Sequence, residues 1–262
     1  MAILRPNVIA LTLLVALATA GCSDVTTNPH NDATGNVVLR FTPTFDGVVL
    51  TAGTKVVTTG EDTLSFSTLK FYASEFDFEP VASHGHHGAE LLRVDSIFLI
   101  DLFGDESARS FTLPTNAVHY ESVAMSIGVP EVENHKDAAT QTEPLGPNVG
   151  MYWGWDPGYI FFKVEGFVDS SGTSLPFVFH CGEDARKKRV VLAGTDHIVV
   201  ERDAIPVVTV TVALDQFFEK GVIAGQPLRL RDHPESRRHH KGPAELADLT
   251  AENFATLFRV AE

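Results

Sequence analysis

The stretch Leu64-Ser65-Phe66-Ser67-Thr68-Leu69-Lys70-Phe71-Tyr72-Ala73-Ser74-Glu75-Phe76-Asp77-Phe78 decides the fold class. Large apolar side chains recur at Leu64, Phe66, Leu69, Phe71, Phe76 and Phe78 with polar residues between them. That is the period of a half-buried strand. The phase shifts near Thr68, which predicts a turn or bulge there. Working outward, Val37–Phe41 forms a short apolar run, and Leu91–Leu102 reads as a strand closed by a turn at Gly104-Asp105. His119, Glu121, Val123, Met125 and Ile127 are expected on one face of a further strand, with Tyr120, Ser122, Ala124 and Ser126 opposite. Tyr159–Val168, Leu175–His180, Val190–Val200 and Ile205–Leu214 continue the series, bounded by Gly, Pro, Asn and Asp. Helix is confined to a turn at Asp215–Lys220, capped by Asp215, and a short terminal segment at Thr250–Phe258. About eight such runs with so little helix predict an all-β, two-sheet antiparallel β-sandwich with long loops.

The composition agrees with a packed domain. Of 262 residues, 44% are hydrophobic and 21% charged, enough apolar surface to offset the entropy of ordering. Lys and Arg number 20 against 34 Asp and Glu, a formal net charge of -14. Nucleic-acid binding needs the opposite balance and is excluded as an expectation. Acidity is compatible with a cationic partner or a metal ion.

Residues 1–21 have the layout of a bacterial secretory signal: Arg5, an apolar run from Val8 to Ala18, then small residues at Ala20 and Gly21. Ala18-Thr19-Ala20-Gly21-Cys22 is similar to a lipobox, with Thr19 where Leu is more usual, so Cys22 is the expected lipidation site; plain cleavage near Ala20 is the alternative. Acyl chains gain about 0.8 kcal/mol per buried CH₂, which would hold the protein on a membrane surface. Residues 22–35 then read as a tether and 36–262 as the folded domain. The expected location is the periplasm or outer membrane. With two cysteines in the chain, lipidation of Cys22 leaves Cys181 without an intrachain disulfide partner. Cys181 is then either a buried hydrophobe or a soft metal ligand.

Common catalytic signatures are missing: there is no Gly-x-Ser-x-Gly elbow, phosphate loop, dinucleotide fingerprint or His-Glu-x-x-His. Histidine, with 11 copies, carries more information. His84, His86 and His87 lie in a Gly-flanked connection, where a His-rich tract is either a solvated loop or a secondary metal candidate. His239-His240 sits among Arg237, Arg238 and Lys241, whose charge repels cations. Both tryptophans fall in Met151-Tyr152-Trp153-Gly154-Trp155-Asp156-Pro157-Gly158-Tyr159, and in an extended chain they point to one side.

The chain resembles the MbnP-like family of copper-binding proteins. Asn134-His135, Pro144-Leu145, Asn148, Met151-Tyr152-Trp153-Gly154-Trp155, Gly158-Tyr159, Glu165-Gly166 and Phe179-His180-Cys181-Gly182 carry the resemblance. Leu39-Arg40-Phe41 and Leu69-Lys70-Phe71-Tyr72-Ala73-Ser74 fit less specifically. The resemblance implies a non-catalytic copper protein and a partner related to MauG and the di-haem cytochrome c peroxidases, which oxidises a tryptophan to kynurenine. On that basis His135 and His180 are expected metal ligands and Trp153 or Trp155 the modified group. An indole offers only an N–H donor, whereas ring opening yields an aryl amine with a lone pair. The amine and two neutral imidazoles make a nitrogen set suited to copper. Three departures stand out: the longer Pro144-Leu145-Gly146-Pro147-Asn148, Cys181 in place of an aliphatic residue, and Asp156-Pro157 in place of a Gln- or Ser-like pair.

Two other readings compete. A non-metal interaction or carbohydrate-binding module would use the aromatic strip as a contact platform. A hydrolase would need an ordered nucleophile and base, for which the sequence offers no motif.

Overall fold

The computed structural model describes residues 34–81, 90–153, 158–219, 222–223, 226–227, 230–231, 238–239 and 244–261. Cys22, the tether up to residue 33, His84, His86, His87, Trp155 and His240 lie outside the described residues, whereas Thr34 and Gly35, expected in the tether, open the first strand. The described chain is mostly β, with two main sheets, one a curled half-barrel, and few helices.

The smaller sheet contains β1 (Thr34–Phe45), β2 (Val48–Val49), β6 (Ser110–Asn116), β12 (Val207–Ala213) and β16 (Phe258–Val260). The larger contains β3 (Lys55–Val57), β4 (Thr63–Pro80), β5 (Leu92–Asp101), β7 (His119–Ile127), β8 (Ile160–Ser170), β9 (Thr173–Gly182), β10 (Lys188–Leu192), β11 (Ile198–Val199) and β15 (Arg238–His239). A separate pair joins β13 (Val222–Ile223) to β14 (Gln226–Pro227). The helices are α1 (Glu106–Arg109), α2 (Glu131–Asn134), α3 (Asp215–Glu219) and α4 (Ala244–Ala255).

The two main sheets face each other across one apolar core. Val37, Leu39 and Phe41 of β1 alternate inward, as a period of two requires. Phe41 meets Phe71 of the opposite sheet edge to face at 5.4 Å. The α4 helix packs against β9 and β10, and its Phe254 stacks on Phe162 at 4.2 Å. Its buried positions Leu246, Ala247, Thr250, Ala251 and Phe254 follow helical spacing.

Several expectations need correction. Pairing is not wholly antiparallel: β1 runs parallel to β12, and β15 parallel to β9. The terminal helix begins at Ala244, earlier than expected, and gives way to β16. In β7, Glu79 pairs with Ser122 and Pro80 with Tyr120, so Glu121 is bulged out. The alternation slips there, and Tyr120 joins Val123, Met125 and Ile127 in the core while Glu121 is exposed. The predicted irregularity near Thr68 is present as a register shift between Phe66 and Thr68.

The long strand β4 organises the larger sheet. Along one of its edges β8 pairs with Thr63–Phe71, and β7 pairs with Ala73–Pro80; β3 and β5 take the other edge. Thus β7 and β8 follow one another as if they were a single strand, and residues 128–159 are an excursion from the middle of it. The next pair repeats the pattern: Gly182 ends β9 opposite Ile160, and Lys188 begins β10 opposite Ile127. At the same level β4 shifts register between Ser74 and Phe76, with Glu75 at φ 51°. Three neighbouring strands therefore break at one seam. Such irregularities bend and twist a sheet, which accounts for its curl.

Candidate functional site

The excursion is pinned to the outer face of the larger sheet by a second, smaller apolar cluster. Tyr72 and Phe161 project outward from β4 and β8, on the side opposite Phe71 and Phe162. They pack with Val129, Leu145, Met151 and Tyr159 from the excursion. Tyr72 donates its hydroxyl to the Pro144 carbonyl at 2.9 Å, and Tyr159 donates to the Leu145 carbonyl at 2.7 Å. The rings meet edge to face at 5.9 Å. Burial raises both phenols, Tyr159 to about 12, so both remain neutral donors.

The excursion returns through Met151–Trp153, which lies antiparallel to Gly158–Ile160: Tyr152 bridges Tyr159, and Ile160 N–H donates to the Met151 carbonyl at 2.9 Å. Gly158 has φ +86°, and a Cβ there would meet Asn134 O and Oδ1 at 2.5 Å. Glycine thus supplies both the left-handed backbone and the close approach.

Asn134, 1% exposed, joins three pieces of the seam. Its Oδ1 accepts the Tyr159 N–H at 2.9 Å, and its Nδ2 donates to Asp184 Oδ1 at 2.9 Å. Asp184 lies in the jog between β9 and β10, just after Glu183 at φ 73°. The other oxygen of Asp184 is 2.7 Å from His135 Nε2. His135 caps the C-terminal end of α2 and is half-exposed.

His180 lies on β9 beside Lys163 of β8, on the outer face of the sheet. Its Nε2 is 2.6 Å from Glu165 Oε1. The His180 hydrogen bond, the Thr68 hydroxyl and the charges of His180 and Lys163 outweigh burial and lower the Glu165 carboxyl to about 2. Lys163 donates to the Gly150 carbonyl at 2.6 Å, and burial lowers its ammonium below the usual lysine range.

Trp153 completes the group. Its half-buried ring packs on the smaller cluster and lies over Gly182, two positions beyond His180 on the same face of β9. The seam thus gathers His135 through Asp184, Trp153 on Gly182, and His180. Each imidazole has its own carboxylate. Among the described residues, no three His, Cys, Asp or Glu side chains form a metal-holding group.

Cys181 takes the core placement that its sequence context allowed. It lies on the opposite face of β9 from His180, with Sγ 3.9 Å from the Ala247 carbonyl, and burial pushes its thiol up to about 12. The backbone of His239 pairs with that of Phe179, adjacent in sequence to His180. The sequence reading gave no role to Glu165, Asp184, Asn134 or Lys163. The hairpin turn at Ser171-Gly172 carried a signal for two of them. A two-residue loop fixes register, which sets Lys163 opposite His180 and Glu165 opposite Val178.

The MbnP family profile matches residues 34–236. Among solved structures, MbnP from Methylosinus trichosporium is similar with a TM-score of 0.50 and 16% sequence identity, covering 76% of this chain and 82% of that chain. No curated protein sequence is similar enough to count as a match.

Proposed function

Because the chain belongs to the MbnP family, we propose that it is a non-catalytic, exported copper-binding protein whose ligands include His135, His180 and a kynurenine made from Trp153 or Trp155. The observation that carries this reading is the seam, where two carboxylate-backed imidazoles flank the strand end on which Trp153 rests. Carboxylate support of this kind orients ligating histidines and raises their basicity. The donor chemistry fits copper, since imidazole nitrogens are among its preferred ligands. Two imidazoles call for a further donor, and the amine of an opened indole would supply it. Bound copper would contribute a one-electron redox centre.

The oxidation belongs to a partner, a MauG-like di-haem cytochrome. Two equivalents of peroxide, reduced to water at its haems, would insert two oxygen atoms across the indole C2–C3 bond. Hydrolysis would then release the formyl group as formate. Export by residues 1–21 and lipidation at Cys22 would place the protein in the periplasm or on the outer membrane, held through its acyl chains.

The test is equilibrium dialysis of the protein, isolated after co-expression with its partner, against copper, zinc and glycans. Copper retained by the native protein, and lost when His135 and His180 are both replaced by Ala, supports the reading. Glycan binding without copper binding would favour a contact module, and unchanged copper affinity in the double variant would reject these ligands. At a thousandfold excess over Kd, copper should stabilise the folded chain by about 4.1 kcal/mol.

A further inference from the structure

We propose that the end of the molecule at which β1 begins rests on a zwitterionic lipid surface, with the exposed Val199, Ile205 and Val207 as its contact. This depends on the reading of Cys22 as a lipid anchor and adds which part of the folded domain that anchor brings to the bilayer.

Several pieces of chain meet at this end. Thr34 opens β1 opposite Asn116, the last residue of β6. A short turn leads into β7, where His119 pairs with Val199 of β11 and its carbonyl accepts the Val81 N–H at 2.9 Å. Val200 then touches the smaller sheet: its N–H donates to the Val118 carbonyl at 3.2 Å, and a Cβ added to Gly35 would lie 2.5 Å from its Cγ1. The chain returns through the bridge between Glu201 and Ala204, and the Pro206 carbonyl accepts the Val38 N–H at 2.9 Å. Residues 199–207 are therefore a rim beside the first residues of β1.

Three apolar side chains on that rim face solvent: Val199 is 41%, Ile205 58% and Val207 45% exposed. Ile205 and Val207 are alternate residues and share a side of the chain as it enters β12, next to half-buried Val38. Apolar surface concentrated in one short segment marks a contact site rather than ordinary scatter. Glu201 and Asp203 flank Arg202 in the same rim, and all three are exposed. That balance repels anionic headgroups and suits zwitterionic ones.

A second exposed apolar group, Val48, Val49 and Val57, lies at the far end of β1, where Val48 pairs with Phe45. The length of chain before Thr34 decides between the two. Twelve residue steps join Cys22 to Thr34 and reach at most about 40 Å. The 12 residues of β1 span about 36 Å. Seating the far end would lift Thr34 by that length and draw the connection close to its limit, at a cost in conformational entropy. Seating the near end demands no such extension. Docked in this way, the seam stands off the bilayer by the run of β7 from His119 to Ile127, about 26 Å, which leaves it clear of lipid for a partner.

A synthetic diacyl maleimide coupled to Cys22 of the mature chain, residues 22–262, supplies the anchor; Cys181 is only 2% exposed. Hydrogen exchange is then compared between the coupled protein on phosphatidylcholine vesicles and the uncoupled protein in solution. Peptides covering residues 199–207 should exchange severalfold more slowly on the vesicles, and those covering residues 46–57 at the same rate in both states. Ile205→Glu, coupled in the same way, should lose this protection while keeping the parental circular dichroism spectrum. Equal exchange of residues 199–207 in the two states would overturn the proposal. So would protection of residues 46–57 in their place, or protection that survives Ile205→Glu. Because the anchor is supplied chemically, a native protein without acyl groups on Cys22 defeats the lipidation reading while the vesicle comparison still decides this one.

Discussion

The six-membered ring of Trp153 occupies the space that a side chain at residue 182 would need. A Cβ added to Gly182 would come 2.6 Å from Trp153 Cζ3 and 3.0 Å from Cη2, and would also strike the Tyr159 carbonyl oxygen. Gly182→Ala should therefore displace the indole and destabilise the fold by about 1–3 kcal/mol, the usual cost of overpacking. Chemical denaturation with tryptophan fluorescence measures both effects. An unchanged midpoint together with an unchanged emission maximum would show that the ring does not rest there.

Lys187 reaches from the jog after β9 to the bulge of β4, its ammonium 2.9 Å from Glu75. Burial raises the Glu75 carboxyl, but hydrogen bonds from Lys187 and Ser126 and the charges of Lys187 and Arg189 outweigh it and leave the group below its ordinary value of 4.5. A carboxyl lowered by folding adds stability that is fully present above its unfolded pKa and is lost as pH falls through the folded one. Glu75→Gln should thus flatten the loss of stability below about pH 4.5. Urea midpoints of parent and variant between pH 3 and 6 provide the comparison, and parallel curves would count against the pair.

Asn134→Ala would strip the Tyr159 N–H of its buried acceptor and Asp184 of a donor. Leaving a buried donor unpaired costs about 1–3 kcal/mol. Amide hydrogen exchange at Tyr159 should accelerate accordingly, and the restart of β8 should lose protection before the centre of β4. Exchange at the parental rate would mean that Asn134 does not secure the return of the excursion.

Native protein made together with its partner should carry a tryptic peptide containing Trp153 and Trp155 that is about 4 Da heavier than the encoded mass, because conversion to kynurenine exchanges one carbon for one oxygen. Fragmentation would assign the change to one of the two residues. The unmodified mass throughout the sample would remove the oxidation step.

The sheet was legible because its signal is local. The alternation of Leu64, Phe66, Leu69 and Phe71, and the slip near Thr68, are properties of consecutive residues, and both are present in β4. That His135, Trp153 and His180 belong to one site was an expectation from resemblance to a family alone, since nothing in their spacing brings them together. Asp184 was not legible at all: its contact with Asn134 and His135 depends on β9 and β10 breaking where the excursion begins, which is tertiary information. The parallel β1–β12 pair was hidden for a similar reason, because strand alternation does not state direction. The slip at Glu121 was missed because its cause lies on the neighbouring strand, at Glu79 and Pro80.

That parallel pair also governs how the chain must fold. The first strand cannot fill its inner edge until Val38 meets Val207, and β16 in turn docks on β12. Contacts between such distant parts of a chain form slowly, because the loop they close must be ordered before it is rewarded. Synthesis from the N-terminus therefore leaves β1 waiting with an open edge while most of the polypeptide is still emerging. An unpaired edge in a partly made chain is a template for association, so the vulnerable moment of this protein's life precedes the delivery of β12.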